Sequence, residues 1–176
     1  LLPERIEERS VREGRLGCPV CGRTFLLDDG ALHLARGDVP DVPAEPTSLS
    51  AEAVAALAGL NGPGGYLVLV GGPGGGWREV AEQVPRVGLV AVNPEPAVRD
   101  EPGVSVIWAD RLPLKSRSMR GVVLGAPYGG DPRWVAEASR AVLPGLRVVG
   151  EGADPPADLI DLMATAGPVW VGSPRR

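Results

Sequence analysis

From residue 50 onward, short apolar runs alternate with segments of helical spacing. The apolar runs lack the polar–apolar alternation of a half-exposed strand, which is typical of strands buried on both faces of a parallel sheet. They occupy residues 66–70, 88–92, 104–108, 121–125, 146–150 and 168–172. Helical spacing predicts helices over 50–60, 77–84, 131–143 and 155–167, the first with Ser50 as its N-cap. This alternation predicts a doubly wound, mostly parallel α/β sheet of about six strands.

The chain divides by composition into three regions. Residues 1–36 hold short alternating stretches and both cysteines, and we expect a small N-terminal β module there. Residues 37–49 are rich in Pro and acids without periodicity, which is typical of a linker. Residues 50–176 form the predicted α/β domain. A length of 176 residues suits one core with a small appended module.

Charge and composition exclude several classes of protein. The net charge is −4 and the 18 basic residues are scattered, so no nucleic-acid groove is expected. No apolar run reaches the length of a membrane span. Residues 1–15 are charged throughout, so we expect no signal peptide and a cytoplasmic location. Two cysteines in one Cys-x-x-Cys do not make a disulfide scaffold.

A glycine-rich turn follows the apolar run at 66–70. Five of the six residues 71–76 are Gly, and a predicted helix follows at once. The phosphate loop of NTPases is excluded, because it needs Lys and Ser or Thr where this chain has Trp77 and Arg78. The dinucleotide fingerprint fits poorly, because a large side chain occupies its third glycine position. What remains is a Gly-x-Gly-x-Gly pattern, on whose bare backbone a flat ligand can lie. Its members are Gly72, Gly74 and Gly76.

Four segments, in order, resemble the motifs of class I S-adenosylmethionine-dependent methyltransferases. Residues 67–76 stand where that family has its glycine motif, and 89–98 resemble its second motif. Residues 106–124 resemble the family's GDA-x-x-LPF…SFDVV stretch, and 137–149 resemble its RVLKPGG turn. The resemblance implies a Rossmann-like methyltransferase sheet with S-adenosylmethionine as cofactor. It implies cofactor contacts at the three glycines, Asn93 and Asp110.

The carboxylates on which the family relies are mostly replaced. The acid before the first glycine is Val70, and the acid ending strand 2 is Asn93, which carries no charge. The acid after strand 3 is kept as Asp110, whereas the acid before strand 4 is Arg120. Charge-assisted hydrogen bonds contribute about 1.5–3 kcal/mol each, against about 1 for neutral pairs. We therefore expect S-adenosylmethionine to bind weakly or not at all.

No catalytic residue is assigned from the sequence. The segment "GAPYGG" (125–130) matches the [D/N]-P-P-[Y/F] motif of amino-group methyltransferases only at Pro127 and Tyr128. A strand that ends in a Pro/Gly turn is the favoured interpretation. The only histidine is His33, in the front region, so no Ser/His or Cys/His constellation is available. Trp77, directly after the glycine loop, is a candidate to line or occlude a pocket.

The front region has a resemblance of its own. Residues 14–34 resemble the second half of the zinc ribbon that precedes many bacterial methyltransferases. Cys18 and Cys21 are the metal candidates, but positions 3–6, where the first knuckle belongs, hold no cysteine. Structural zinc takes four ligands, so even with His33 the site is incomplete and zinc is not expected. A redox role for the two thiols is the less favoured alternative, because the strand and helix of a thioredoxin-like site do not surround them.

Three functional hypotheses follow. The favoured one is a methyltransferase-fold protein that has lost catalysis and serves as an accessory, structural or binding subunit, held as a homodimer or by protein partners. The alternatives are a small active methyltransferase of unknown substrate and a sensor of S-adenosylmethionine. Only four residues follow the run at 168–172, so the final hairpin of the sheet is predicted to be missing or abbreviated, which leaves an open edge.

Overall fold

The computed structural model describes residues 2–7, 10–19, 21–35 and 46–175. Its strands are β1 (Leu2–Glu7), β2 (Ser10–Gly17), β3 (Thr24–Asp28), β4 (Ala31–His33), β5 (Tyr66–Val70), β6 (Gly88–Val92), β7 (Val104–Trp108), β8 (Met119–Leu124), β9 (Val142–Glu151), β10 (Ile160–Ala166) and β11 (Val169–Pro174). Its helices are α1 (Ala51–Ala58), α2 (Trp77–Gln83) and α3 (Pro132–Ala141), with 3₁₀ turns at Gly72–Gly74 and Tyr128–Gly130.

All these strands belong to one mixed sheet, in the order β1-β2-β3-β4-β7-β6-β5-β8-β9-β11-β10. The run from β4 to β9 is parallel, and both ends of the sheet are antiparallel. The predicted α/β class is confirmed, but the sheet has eleven strands in the described residues rather than about six. The excess arises because the front strands and the final hairpin add to the same sheet.

Helices cover both faces of the central strands, which explains the apolar runs in the sequence. In β5, Leu67 and Leu69 pack toward α1 and α2, whereas Val68 and Val70 pack in the core that contains α3. All four side chains are fully buried. Burial on both faces removes the polar–apolar alternation, as the sequence predicted.

The prediction of a helix over 155–167 is wrong. The final hairpin, which was predicted to be missing or abbreviated, is present. Residues 160–166 form β10, which pairs antiparallel with β11, and β11 pairs with β9. A short segment with several apolar residues fits a strand as well as a helix, so the hydrogen bonds that β11 offers decide its structure. β10 ends the sheet, with Leu162 48% exposed and Met163 56% exposed.

The front strands are joined to the central sheet by backbone pairing and by ion pairs. Strand β4 pairs in parallel with β7, with Leu32 opposite Ile107. The Arg12 guanidinium contacts the Asp29 carboxylate at 3.0 Å and that of Asp100 at 3.3 Å. Burial raises the pKa of Asp100, and the charge of Arg12 opposes that rise. The charged β1–β2 hairpin therefore docks against the loop that precedes β7.

Most of the predicted linker, residues 37–45, lies outside the described residues, but its end is anchored. Glu151, a buried carboxylate at the end of β9, accepts hydrogen bonds from Thr47 Oγ1 at 2.6 Å and Ser48 Oγ at 2.6 Å. It also accepts one from the backbone N–H of Ser48 at 2.7 Å. These charge-assisted bonds fix the chain just before α1.

Candidate cofactor-binding site

The sequence-predicted site residues meet at the carboxyl edge of the parallel strands. The glycine loop follows β5, Asn93 follows β6, Asp110 lies two residues after β7, and residues 125–130 follow β8. This edge is where open α/β sheets place their ligands. Their surroundings, however, differ from residue to residue.

Protein side chains cover much of the glycine loop. Gly72 and Gly74 are buried, and Gly76 is exposed. A Cβ added at Gly74 would lie 3.0 Å from the Cβ of Pro94, and one at Gly71 would lie 2.9 Å from the Tyr128 ring. Gly71 and Gly74 are therefore needed for close packing against neighbouring side chains. A ligand that lay on the backbone of Gly74 would have to displace Pro94, and one on the backbone of Gly71 would have to displace Tyr128.

Asn93 is buried, and backbone contacts occupy its amide. Its Nδ2 donates to the carbonyl oxygen of Ala109 at 2.8 Å, and its Oδ1 accepts from the N–H of Ala109 at 2.9 Å. Only 5% of the residue is exposed, and its φ of 49° is a left-handed value that Asn tolerates. Asn93 thus joins the ends of β6 and β7, and its oxygen faces the Ala109 backbone.

The residues at the other two replaced acid positions, Val70 and Arg120, also make contacts that stabilise the fold. Val70 is fully buried in the core on the α3 side of the sheet. The Arg120 guanidinium donates to the carbonyl oxygens of Asn61, Gly62 and Gly64 at 2.7–2.8 Å. This cation therefore binds the turn that precedes β5, where its planar fork reaches several acceptors at once.

The segment after β8 is packed into the protein as well. Tyr128 is buried and contacts the Trp134 ring edge-on, with centroids 4.6 Å apart. Burial raises the pKa of Tyr128, and a side-chain hydrogen bond with Asn93 opposes that rise. A Cβ at Gly125 would lie 2.4 Å from Cδ of Pro73. Trp77 is also buried, in the core between the sheet and α2.

Asp110 is the one predicted cofactor residue with a free, exposed side chain. Within the described residues its carboxylate makes no hydrogen bond and no ion pair. It lines two neighbouring cavities, of about 100 and 220 Å³, and Arg111 lines both with it. The smaller cavity also contains Arg23, Phe25 and Leu34 from the front region. Sequence reasoning missed these three residues, because only the long-range pairing of β4 with β7 brings them to Asp110.

Cys18 and Cys21 lie on the tight turn between β2 and β3. The N–H of Cys18 donates to the carbonyl of Arg23 at 2.8 Å, and the N–H of Gly22 donates to that of Cys18 at 2.9 Å. The backbone N–H of Arg23, with its side chain and Cys18, lowers the pKa of the exposed Cys21 thiol to about 7. His33 lies on β4 with its ring stacked on Trp108. No metal-binding group of three or more His, Cys, Asp or Glu occurs in the parts of the chain that the structure describes.

We expect the purified chain to hold less than one zinc ion per molecule after dialysis against a weak chelator. Two thiolates leave a tetrahedral zinc ion short of two protein ligands, which weakens its retention. Elemental analysis measures the metal, and a Cys18→Ser/Cys21→Ser double variant supplies the background value. Stoichiometric zinc that this double variant loses would contradict the expectation.

No protein-family model and no curated protein matches this sequence. Solved structures similar to it include a complex of the Haloferax volcanii Trm112 methyltransferase activator with a protein assigned as a methyltransferase (18% identity, 57% of this chain, 50% of that chain, TM-score 0.47). Another is geranyl diphosphate methyltransferase with GPP and sinefungin (20% identity, 57% of this chain, 42% of that chain, TM-score 0.47). A third is Haemonchus contortus phosphoethanolamine N-methyltransferase 2 with S-adenosylhomocysteine (16% identity, 66% of this chain, 30% of that chain, TM-score 0.46). This chain spans half or less of the length of each.

Among the described residues, no helix has the length and apolar character required to cross a membrane.

Proposed function

We propose that this chain is a methyltransferase-like protein without methyl-transfer activity, which serves as an accessory or binding subunit of an assembly. The observation that carries the proposal is the Asn93 amide, bonded at both ends to the Ala109 backbone. In the family that the sequence resembles, a carboxylate at this position accepts hydrogen bonds from the ribose hydroxyls of the cofactor. Here the side chain is buried and its hydrogen bonds hold two strands together.

The remaining anchor positions support the same conclusion. Val70 is fully buried, so the position of the first acid offers apolar surface in the core. Arg120, in β8, is bound to the turn before β5, so no acid is present at that position. Asp110 alone keeps both its charge and its exposure. Losing two charge-assisted contacts lowers affinity on the order of a hundredfold or more.

The segment after β8 supplies no group suited to accept a proton from a methyl acceptor. Gly125 packs against Pro73, and the Tyr128 side chain is buried beside Asn93 with a raised pKa. A tyrosine hydroxyl with a raised pKa is a poor general base at neutral pH. A methyl acceptor bound here would have no positioned base among these residues.

The sheet edge at β10 favours a role in association. Every residue of β10 after Ile160 is exposed, and its only charged side chain, Asp161, is paired with Arg175 at 2.9 Å. An exposed edge strand with apolar side chains and little charge is a template for pairing with another chain. We infer that a second copy or a protein partner covers the C-terminal hairpin, with the front strands as a second contact surface.

Light scattering on the isolated chain and a pull-down from native extract test this role. We expect a stable homodimer or a co-purifying partner, which a Leu162→Glu/Met163→Glu double variant loses. Tyr66→Glu is the matched control, because Tyr66 is equally exposed, at 52%, but lies in β5. A partner-free monomer that transfers methyl groups to a cellular acceptor would overturn the proposal.

That last result would favour the alternative, a small active methyltransferase. Its support is the order of the four family-like segments together with the free carboxylate of Asp110. Only an active methyltransferase would transfer labelled methyl groups from S-adenosylmethionine to an acceptor in cell extract, so this assay distinguishes the two functions.

A further inference from the structure

A cavity of about 540 Å³ lies at the amino edge of the parallel strands, opposite the glycine loop. Its walls are the turn before β8, the second half of α3, the start of β9 and the end of β11. Ligand cavities usually measure about 300–1,000 Å³, so this one is large enough for a small molecule. It shares no lining residue with the cofactor site that the sequence predicted.

The charged side chains that line this cavity are all cationic. They are Arg117, Arg140 and Arg175, and no carboxylate from the described part of the chain lines it with them. Glu137 pairs with Arg140 at 2.6 Å and Asp161 pairs with Arg175 at 2.9 Å, so both of these cations are neutralised and held in place. The Arg117 guanidinium has no such partner within the described residues. The cavity therefore keeps one uncompensated positive charge in a chain whose net charge is −4.

Backbone hydrogen bonds hold the turn that carries Arg117 against the end of α3. The N–H of Arg117 donates to the carbonyl oxygen of Arg140 at 2.9 Å, and the N–H of Ser118 donates to that of Ala141 at 2.9 Å. Carbonyl oxygens at the carboxyl end of a helix repel anions when they are left unpaired. Because the turn occupies two of them, the end of α3 does not cancel the attraction that Arg117 exerts on an anion.

Three groups around the cavity have hydrogen-bond donors without an acceptor among the described residues. The Ser116 hydroxyl accepts from Nη1 of Arg140 at 3.1 Å, which leaves its own O–H to donate. Arg175 uses Nε for its ion pair and Nη1 for a backbone carbonyl oxygen at 2.6 Å, which leaves Nη2. The Arg117 guanidinium is the third group. A phosphate ester offers three oxygens to such a set of donors, whereas a carboxylate offers two.

Apolar side chains, among them Val142 and Pro174, form the rest of the wall. We propose that this cavity binds a small phosphate monoester, with the phosphate on Arg117 and Ser116 and an apolar organic group on this wall. Guanidinium is the side-chain cation best suited to phosphate, because its planar fork donates two hydrogen bonds at once. The proposal goes beyond the loss of methyl transfer and is independent of it, because none of its contacts lies at the cofactor edge of the sheet.

Calorimetric titration of the full chain with phenyl phosphate, phenol, inorganic phosphate and benzoate tests the proposal. We expect phenyl phosphate to bind at least about tenfold more tightly than phenol, because only the ester offers an anion to Arg117. It should also bind more tightly than inorganic phosphate, which has no apolar group to bury. Benzoate should bind more weakly than the ester, because it presents the same ring with one oxygen fewer.

The role of Arg117 is tested by a pair of variants. Arg117→Ala should weaken the binding of phenyl phosphate about tenfold, because it removes the charge-assisted hydrogen bonds. Arg86→Ala is the matched control: Arg86 is also exposed and also has a left-handed φ, of 63° against 52° for Arg117, but it lies between α2 and β6, outside the cavity. Its affinity for phenyl phosphate should be unchanged, and thermal melts confirm that both variants fold.

Absence of phenyl phosphate binding would overturn the proposal. Equal affinity for this ester and any of the other three probes would do the same, and so would an Arg117→Ala variant that binds the ester as tightly as the native chain.

Discussion

The Gly129→Ala variant is expected to lose about 3 kcal/mol or more of unfolding free energy, at the upper end for overpacked sites. A Cβ at this position would lie 2.4 Å from the backbone oxygen of Glu151 and 2.5 Å from its nitrogen. Glu151 ends β9, opposite Val169 of β11, so its backbone is held by sheet pairing. The Glu151 backbone cannot move away from the added Cβ without breaking that pairing.

Gly130→Ala provides the matched control one residue along the chain. Its nearest contact would be the nitrogen of Ala153 at 3.4 Å, an ordinary van der Waals distance. We expect a loss of less than about 1 kcal/mol, within the range of unremarkable surface changes. Urea denaturation of both variants measures the difference. Equal stabilities of the two variants would contradict the expected clash between a side chain at position 129 and the backbone of β9.

The Asn93→Asp variant is expected to lose about 2–3 kcal/mol of unfolding free energy without gaining affinity for S-adenosylmethionine. An aspartate can still accept from the Ala109 N–H, but it cannot donate to the Ala109 carbonyl, which is 2.8 Å from Nδ2 in the native protein. The change leaves a buried carbonyl unpaired and places a carboxylate against it. Restoring the family's acid would therefore damage the junction between β6 and β7.

Asp110→Asn is the reciprocal control, with the same atoms exchanged at an exposed position. Because the carboxylate of Asp110 has no partner within the described residues, we expect a stability change within about 0.5 kcal/mol. Chemical denaturation reports stability, and calorimetry reports binding for both variants. A stable Asn93→Asp protein with improved S-adenosylmethionine affinity would indicate that the ribose position is open after all.

The central strands and three helices could be predicted from sequence because their burial leaves a clear pattern. Residues 66–70 carry apolar side chains on both faces, and burial by helices on both sides is the structural cause. The helix from Ser50 was also readable, since the Ser50 hydroxyl accepts the N–H of Ala53 as an N-cap. These signals are local in the sequence, so no partner segment was needed to interpret them.

The features that escaped prediction depend on contacts between distant segments. Residues 160–166 became a strand because β11 offers hydrogen bonds, and a short apolar segment does not reveal such a partner. The pairing of β1 with β2, in which Arg5 and Glu13 form an ion pair across the strands at 3.1 Å, was not predicted either. The pairing of β4 with β7 could not be predicted from the sequence either, and this pairing forms the cleft at Asp110.

For the candidate site, the sequence predicted the positions but not the surroundings of the side chains. Asn93 and Asp110 both follow parallel strands at the expected edge. The difference between them is that the Ala109 backbone occupies the Asn93 amide, whereas the Asp110 carboxylate faces a cleft. Such a distinction depends on how each loop turns, and residue type alone does not fix that.

Calorimetric titration of S-adenosylmethionine into the purified chain tests the central claim most directly. With Val70 in the core, the Asn93 amide bonded to Ala109 and only Asp110 free, we expect binding no tighter than the high micromolar range. Low-micromolar binding would contradict the account, because it would require a cofactor pocket that the native side chains leave open.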